Sequence, residues 1–322
     1  MNEAVLPSVK TPAAPAAPGV YADIGTLVRL RFGTGGFSFL PNQPVGSILA
    51  GRHASRLRGR GLNFEEIRQY FPGDDIRQMD WKVTARTRQP HIRVCTEERG
   101  REVLLIVDQR LSMFFGSKRN FKSVTAAEIA ALVAWRIIKA KDRIAAIVFG
   151  DQNFDVVPPG GSSSHVMRLL QCVCDHNQAL GIDRGIVSGP EMLDTALERA
   201  ERLVHHDALV ILVTDGIGTG ENTRRILSRI AAHNDVISVL VHDPLEAELP
   251  NAGLRVFASG ELQLEADTSK RSLRDAFNGK FQERVERAKR FLVQREIPLM
   301  QVSTDQDTAQ QVRRLLGQRI RK

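Results

Sequence analysis

Two apolar runs, each closed by an aspartate, constrain this chain more than any other feature. Residues 103–107 read VLLIV and lead into Asp108; residues 208–213 read ALVILV and lead into Thr214 and Asp215. Neither run alternates with polar residues, so each reads as a strand covered on both faces. Both fall far short of the ~20 apolar residues that a membrane span needs. Around them strand and helix patterns take turns. Helices are predicted at 122–140, 162–174, 189–204, 221–233, 272–296 and 307–320, and strands at 142–150, 152–159, 235–243, 254–259 and 298–304. This alternation specifies an α/β domain over residues 101–322, with a mostly parallel central sheet between two helical layers.

In open sheets of this kind, ligands bind beyond the carboxyl ends of the strands, where the strand order switches direction. If the two strands are neighbours, Asp108 and Asp215 enter one crevice. Two carboxylates ~4 Å apart repel by about 4 kcal/mol at an effective dielectric near 20. A positive or proton-donating group is therefore expected between them, and Arg110 lies two residues from Asp108. A guanidinium can hydrogen-bond carboxylates in a fork, so Arg110 either pairs with Asp108 and Asp215 or points outward to an acidic partner. The plainer alternative is that both aspartates cap the loops that follow them.

The first hundred residues have a different character. Residues 1–20 are rich in Pro and Ala and read as a flexible leader. Residues 21–100 read as a basic, β-rich segment, with a short helix near 24–31. Within it FEEIRQY (64–70) suggests a helical turn or two, and PGDD (72–75) a tight turn. MDWKVTAR (79–86) and HIRVCTEE (91–98) suggest an antiparallel hairpin. Trp81 is expected to anchor that hairpin by burying its ring. Asp74, Asp75 and Asp80 lie close in sequence to Arg68, Arg77 and Arg86, which suggests an ion-pair network fastening the segment to the main domain. The same surface, with Asp74, Asp75 and Arg77, is a candidate for docking a partner.

The net charge of +8 favours acidic partners without choosing among them. With only two Trp and two Tyr, the chain lacks the stacking platforms common in single-strand binders, so nucleic acid is the lesser expectation. No Gly-x-x-x-x-Gly-Lys-Ser/Thr motif is present, which argues against ATP hydrolysis by the chain itself. GIGTG at 216–220 brushes against the dinucleotide fingerprint, but Asp215 before it would repel a pyrophosphate. Cys95, Cys172 and Cys174 have no disulfide spacing and suit a reducing, cytoplasmic setting. Cys172, Cys174 and His176 make a poor zinc set, since on a helix Cys174 faces away from the other two.

Asp108-Gln-Arg-Leu-Ser112, the GGSSS loop at 160–164 and Thr214-Asp215-Gly216 together resemble the metal-ion-dependent adhesion site of von Willebrand factor A domains. That resemblance implies Mg²⁺ held by Asp108, Ser112, Ser163 and Asp215, with Ser162, Ser163 or Ser164 standing where a threonine belongs. The chain departs from the pattern at Arg110, which replaces the middle serine and puts metal binding in doubt. A longer ordered set reads Gly59-x-Gly61…Phe64-x-x-Ile67-Arg68-x-Tyr70-x-Pro72-Gly73-Asp74-Asp75-x-Arg77-x-x-Asp80-Trp81…Ala85-Arg86. It resembles the signature of a bacterial family, domain of unknown function 58. The resemblance extends over residues 45–318 through VLLIVD, DRIAAIVFG, HDPLEAELP and VSTDQDT. It implies a vWA-like three-layer sandwich and a MoxR-type AAA+ ATPase as partner, in chaperone-like maturation of a client protein. The expectation is a non-enzymatic adaptor with no cofactor, contacting partners through Asp108, Arg110, Ser112, Thr214 and Asp215. The alternatives are a divalent-metal hydrolase using Asp108 and Asp215, and nucleic-acid binding by the basic segment.

Overall fold

The computed structural model describes residues 18–35, 59–72, 74, 76–99, 101–259 and 262–317. Most of the leader and the Gly/Pro-rich stretch at 36–58, together with Asp75, lie outside the described residues.

The chain opens with helix α1 (Ile24–Arg29), started by Asp23, whose side chain accepts from the Thr26 backbone N–H. It buries Leu27 and Ala22 in the same core as the central sheet. The N-terminal stretch is thus part of the main domain's packing, although its composition groups it with the basic segment. Next come β1 (Gly59–Gln69), α2 (Trp81–Thr87) and β2 (His91–Arg99), with β1 and β2 antiparallel.

Here two expectations fail. FEEIRQ is strand, not helix, and from Trp81 onward WKVTAR is helix, with Met79 alone keeping an antiparallel bridge to Ile92. The reason is local. Asp80 accepts from the backbone N–H groups of Lys82 and Val83, an N-cap that converts the following residues into a helix. The true partner of β2 then comes from before the turn, and Gln69 pairs with His91. Trp81, at the exposed start of α2, keeps 68% of its surface open, so it does not anchor the hairpin by burial.

The main domain continues with β3 (Glu102–Asp108), α3 (Lys122–Lys139), β4 (Arg143–Phe149), β5 (Phe154–Gly160) and α4 (Ser163–Ala179). Then follow α5 (Met192–Leu203), β6 (Leu209–Thr214), α6 (Glu221–Ala231), β7 (Asp235–His242) and the single turn α7 (Pro244–Ala247). A separate hairpin, β8 (Leu254–Ser259) with β9 (Leu262–Asp267), precedes the long α8 (Arg271–Gln294). The chain closes with β10 (Leu299–Ser303) and α9 (Thr308–Gly317).

The sheet order is β10-β7-β6-β3-β4-β5, with every pairing parallel except that of β5 with β4. Successive residues of β3 serve opposite faces, as a pleat requires. Val103, Leu105 and Val107 join α1, α3, α4 and α9 in one core. Leu104 and Ile106 join Leu193, Leu197, Ile226, Ile230 and Leu292 from α5, α6 and α8 in the other. From β3 the chain first builds outward through β4 and β5, then returns to the other side of β3 as β6. The switch point therefore lies between β3 and β6, which places Asp108 and Asp215 side by side. At the far margin β5 carries the exposed pair Pro158 and Pro159, where the register with β4 slips between Ala146 and Ile144.

Candidate functional site

The crevice is built around Arg110. Its Nε donates to Asp108 Oδ1 at 3.0 Å and its Nη2 to Asp108 Oδ2 at 2.6 Å, the fork expected of a guanidinium on a carboxylate. The Arg110 backbone N–H also donates to Asp108 Oδ1 at 3.0 Å. The same Nη2 lies 3.9 Å from Asp215 Oδ1. Nη2 donates further to the Ile217 carbonyl at 3.0 Å, and Nη1 to the Pro190 carbonyl at 3.1 Å. One side chain thus ties together the loops after β3, before α5 and after β6. The Phe149 ring lies 5.5 Å from the guanidinium carbon.

Asp108 and Asp215 are each 0% exposed, Arg110 1% and Thr214 3%. These residues were expected to contact a partner directly, and in the folded chain all four are closed to solvent. Their charges serve one another instead.

Asp215 has a second cation that the motif reading missed. Lys122 Nζ donates to Asp215 Oδ2 at 3.0 Å and to Glu246 Oε1 at 2.7 Å, and Lys122 is itself 1% exposed. A signal was present in the sequence. Lys122 is the first residue of α3, where the positive end of the helix dipole disfavours a cation. A lysine there needs a carboxylate close by.

Burial works against every charge in this set. It pushes Asp108 upward from the ordinary carboxylate value, against the bonds from Arg110 and Thr214. With Asp215, burial also pulls upward, but Lys122 and the Ile217 N–H outweigh it and hold the group low. For Lys122, burial pulls downward and Asp215 and Glu246 reverse the sign, keeping it charged. Four donors converge on Asp108, because Thr214 Oγ1 adds a bond of 2.7 Å to the three from Arg110. The bonds from the Arg110 guanidinium favour the ionised carboxylate against that burial.

Whether a divalent ion fits follows from that inventory. Mg²⁺ requires hard oxygens in near-ideal octahedral array and avoids neighbouring cations. Asp108 and Asp215 already spend their oxygens on Arg110, Lys122, Thr214 and the Ile217 N–H. Of the expected ligands, Ser112 alone has a buried hydroxyl making no hydrogen bond to a described residue. Ser163 is not at the site. It opens α4, just after Gly160, and Gly160 pairs with Ile144 at the opposite, amino-terminal end of β4. The adhesion-site reading therefore loses its second-loop hydroxyl to topology and its ion to Arg110. The residues do not fit Mg²⁺.

Neighbouring loops complete the rim. Asp151, after β4, accepts from the backbone N–H groups of Leu111 at 2.5 Å and Gly189 at 2.9 Å. The GIGTG glycines have a packing role. Gly218 has φ +85°, and a side chain on it would meet the Pro190 carbonyl oxygen at 2.7 Å. A buried polar chain supports the floor: Ala22 N–H donates to Asn177 Oδ1, Asn177 Nδ2 to Gln109 Oε1, and Gln109 Nε2 to the Ser123 carbonyl.

The residues expected to dock a partner from the N-terminal segment are arranged differently. Asp74 is gripped by Arg68 through two bonds of 2.9 and 2.8 Å and also accepts from the Phe71 N–H. These bonds close the turn within the hairpin itself. Arg77 is exposed on a single 3-10 turn. Phe71, Ile76 and Trp81 are 61%, 60% and 68% exposed on the same unit.

Comparison with known proteins places these features in context. The family described as protein of unknown function DUF58 matches residues 66–287. Uncharacterised proteins of Mycobacterium tuberculosis and Mycobacterium bovis are 31% identical over 285 residues, covering 87% of this chain and 86% of theirs. Solved structures that it resembles include the conserved hypothetical protein BatB from Bacteroides thetaiotaomicron, at 14% identity and a TM-score of 0.38, covering 67% of this chain and 98% of that one. An aerotolerance-related membrane protein from Bacteroides fragilis gives 13% and 0.39, covering 67% and 96%. The SpRpn10 VWA domain gives 11% and 0.36, covering 69% and 100%. Among the described residues, no helix is long and apolar enough to cross a membrane.

Proposed function

For this chain, which belongs to the DUF58 family, we propose a non-enzymatic protein-interaction role in which an arginine does the structural work of an adhesion-site metal. The observation that carries the proposal is the reach of Arg110 into three loops at once. A metal ion at such a crevice gathers loops from several strand ends, and Arg110 gathers them without one. The loop tips that this lock holds in place offer exposed residues, among them Phe115, Pro190 and Thr219. Binding there is constitutive and independent of divalent ions.

A second surface supports the same reading. Phe71, Ile76 and Trp81 expose large apolar groups on a hairpin unit rich in charge, a composition that suits a protein interface. The partner proposed is the MoxR-type AAA+ ATPase implied by the family resemblance, acting with this chain on a client protein in the cytoplasm. A metal-dependent hydrolase is disfavoured, because its two carboxylates are already neutralised by Arg110 and Lys122.

Two measurements test the proposal. Calorimetric titration of Mg²⁺ or Mn²⁺ into the full chain is expected to show no saturable heat, and tight binding by the wild type would overturn the metal-free lock. Trp81→Ala is expected to lower recovery of the ATPase in co-purification while leaving the thermal unfolding curve of this chain unchanged. Undiminished recovery would remove the hairpin as the docking surface.

A further inference from the structure

A second group of metal-ligating side chains lies at the margin of the sheet, away from the Arg110 crevice. Cys172 and His176 are four residues apart on α4 and so share one helical face. Cys174 turns the other way, into the core, where it is 1% exposed. The third member comes from another element. Asp155, on the outer strand β5, places its carboxylate Oδ2 2.9 Å from His176 Nε2 and accepts from it when the ring carries its proton there. One ligand atom from each of Asp155, Cys172 and His176 lies within 4.8 Å of the other two. Four-coordinate zinc sets its ligand atoms roughly 3.3–3.7 Å apart, a spacing that these three atoms reach by modest side-chain adjustment.

We propose that Asp155, Cys172 and His176 form a site for Zn²⁺ or a similar borderline divalent ion, leaving a fourth position for water or a donor from a partner. The donor types match. Thiolate, imidazole and carboxylate are the three classes of side chain that zinc takes, and three protein ligands with one open position is the arrangement of an accessible site. The surroundings favour a cation. Asp155 and Asp175 both act on Cys172 by their negative charge, and that charge attracts a divalent ion. Neither Cys172 nor Cys174 is in a disulfide. The bound ion would staple β5 to α4.

Cobalt(II) titration into the reduced, metal-free full chain tests the site. Co²⁺ is expected to saturate at one equivalent with a near-ultraviolet thiolate charge-transfer band, and Zn²⁺ to displace it. The band disappears in Cys172→Ser and persists in Cys174→Ser and Cys95→Ser. Asp155 is 68% exposed, so Asp155→Ala leaves the core untouched and is expected to weaken Co²⁺ binding by about tenfold or more, the scale seen when groups supporting a metal are removed. No band in the wild type, a band that survives Cys172→Ser, or unchanged affinity in Asp155→Ala would each overturn the proposal.

Discussion

Arg110 shows how one substitution can rewrite a site without rewriting a fold. Removing it would leave Asp108 without its fork and Asp215 with one cation fewer, all in a volume closed to water. Breaking a buried pair from one side typically costs about 3–5 kcal/mol. Arg110→Ala is therefore expected to destabilise the chain by about that amount, read as a lowered urea midpoint. A loss below ~1 kcal/mol would mean that the carboxylates are not held as ions. Lys122 gives a prediction on the alkaline side. Its folded pKa lies above the ordinary lysine value, because Asp215 and Glu246 outweigh burial. The stability it contributes is thus complete below the unfolded value of ~10.4 and is lost as pH rises through the folded one. Urea midpoints should fall above that pH in the wild type and fall less in Lys122→Met.

Among the elements, legibility followed burial. Strands β3 and β6 are apolar throughout, and α3 repeats small and apolar residues over 18 positions. Such segments state their state plainly, because tertiary packing and local pattern agree. The segment between residues 59 and 99 states it poorly. Its charged residues suit either state, and the boundary was decided by one cap at Asp80 and by the pairing of Gln69 with His91, across 21 intervening residues. Strand β9 also went unread, since LQLEAD pairs with β8 in a two-stranded sheet separate from the six-stranded one. At the crevice, Asp108, Arg110, Thr214 and Asp215 were recognisable from motif and strand ends. Lys122 carried only the signal of a lysine opening a helix, which does not name its partners, 93 and 124 residues away in sequence. The two tryptophans report on the two kinds of element separately. Trp81 is open at the start of α2, while Trp135 is 4% exposed and donates to the Leu27 carbonyl. Acrylamide is expected to quench two populations of emission, and Trp81→Phe should abolish the accessible one while leaving the protected one.

At the scale of the molecule, a six-stranded sheet with helices on both faces has two margins and one switch point, and the switch point and the β5 margin carry different features. The switch point holds the ionic lock, and α1 is fastened to the same body through Leu27 and the Ala22–Asn177 bond. The margin at β5 carries the Asp155 cluster and, a few residues on, the exposed prolines 158 and 159. Proline has no N–H to give, and neighbouring residues of a strand aim their N–H groups to opposite sides, so the pair withholds one donor from the outer edge and one from the side of β4, just where β5 departs from regular register. A protein proposed to handle immature clients would meet extended, sticky polypeptide throughout its working life. Those two rings make this border a poor template, so that fibrous self-assembly and promiscuous capture of nascent chains are discouraged there by covalent structure alone.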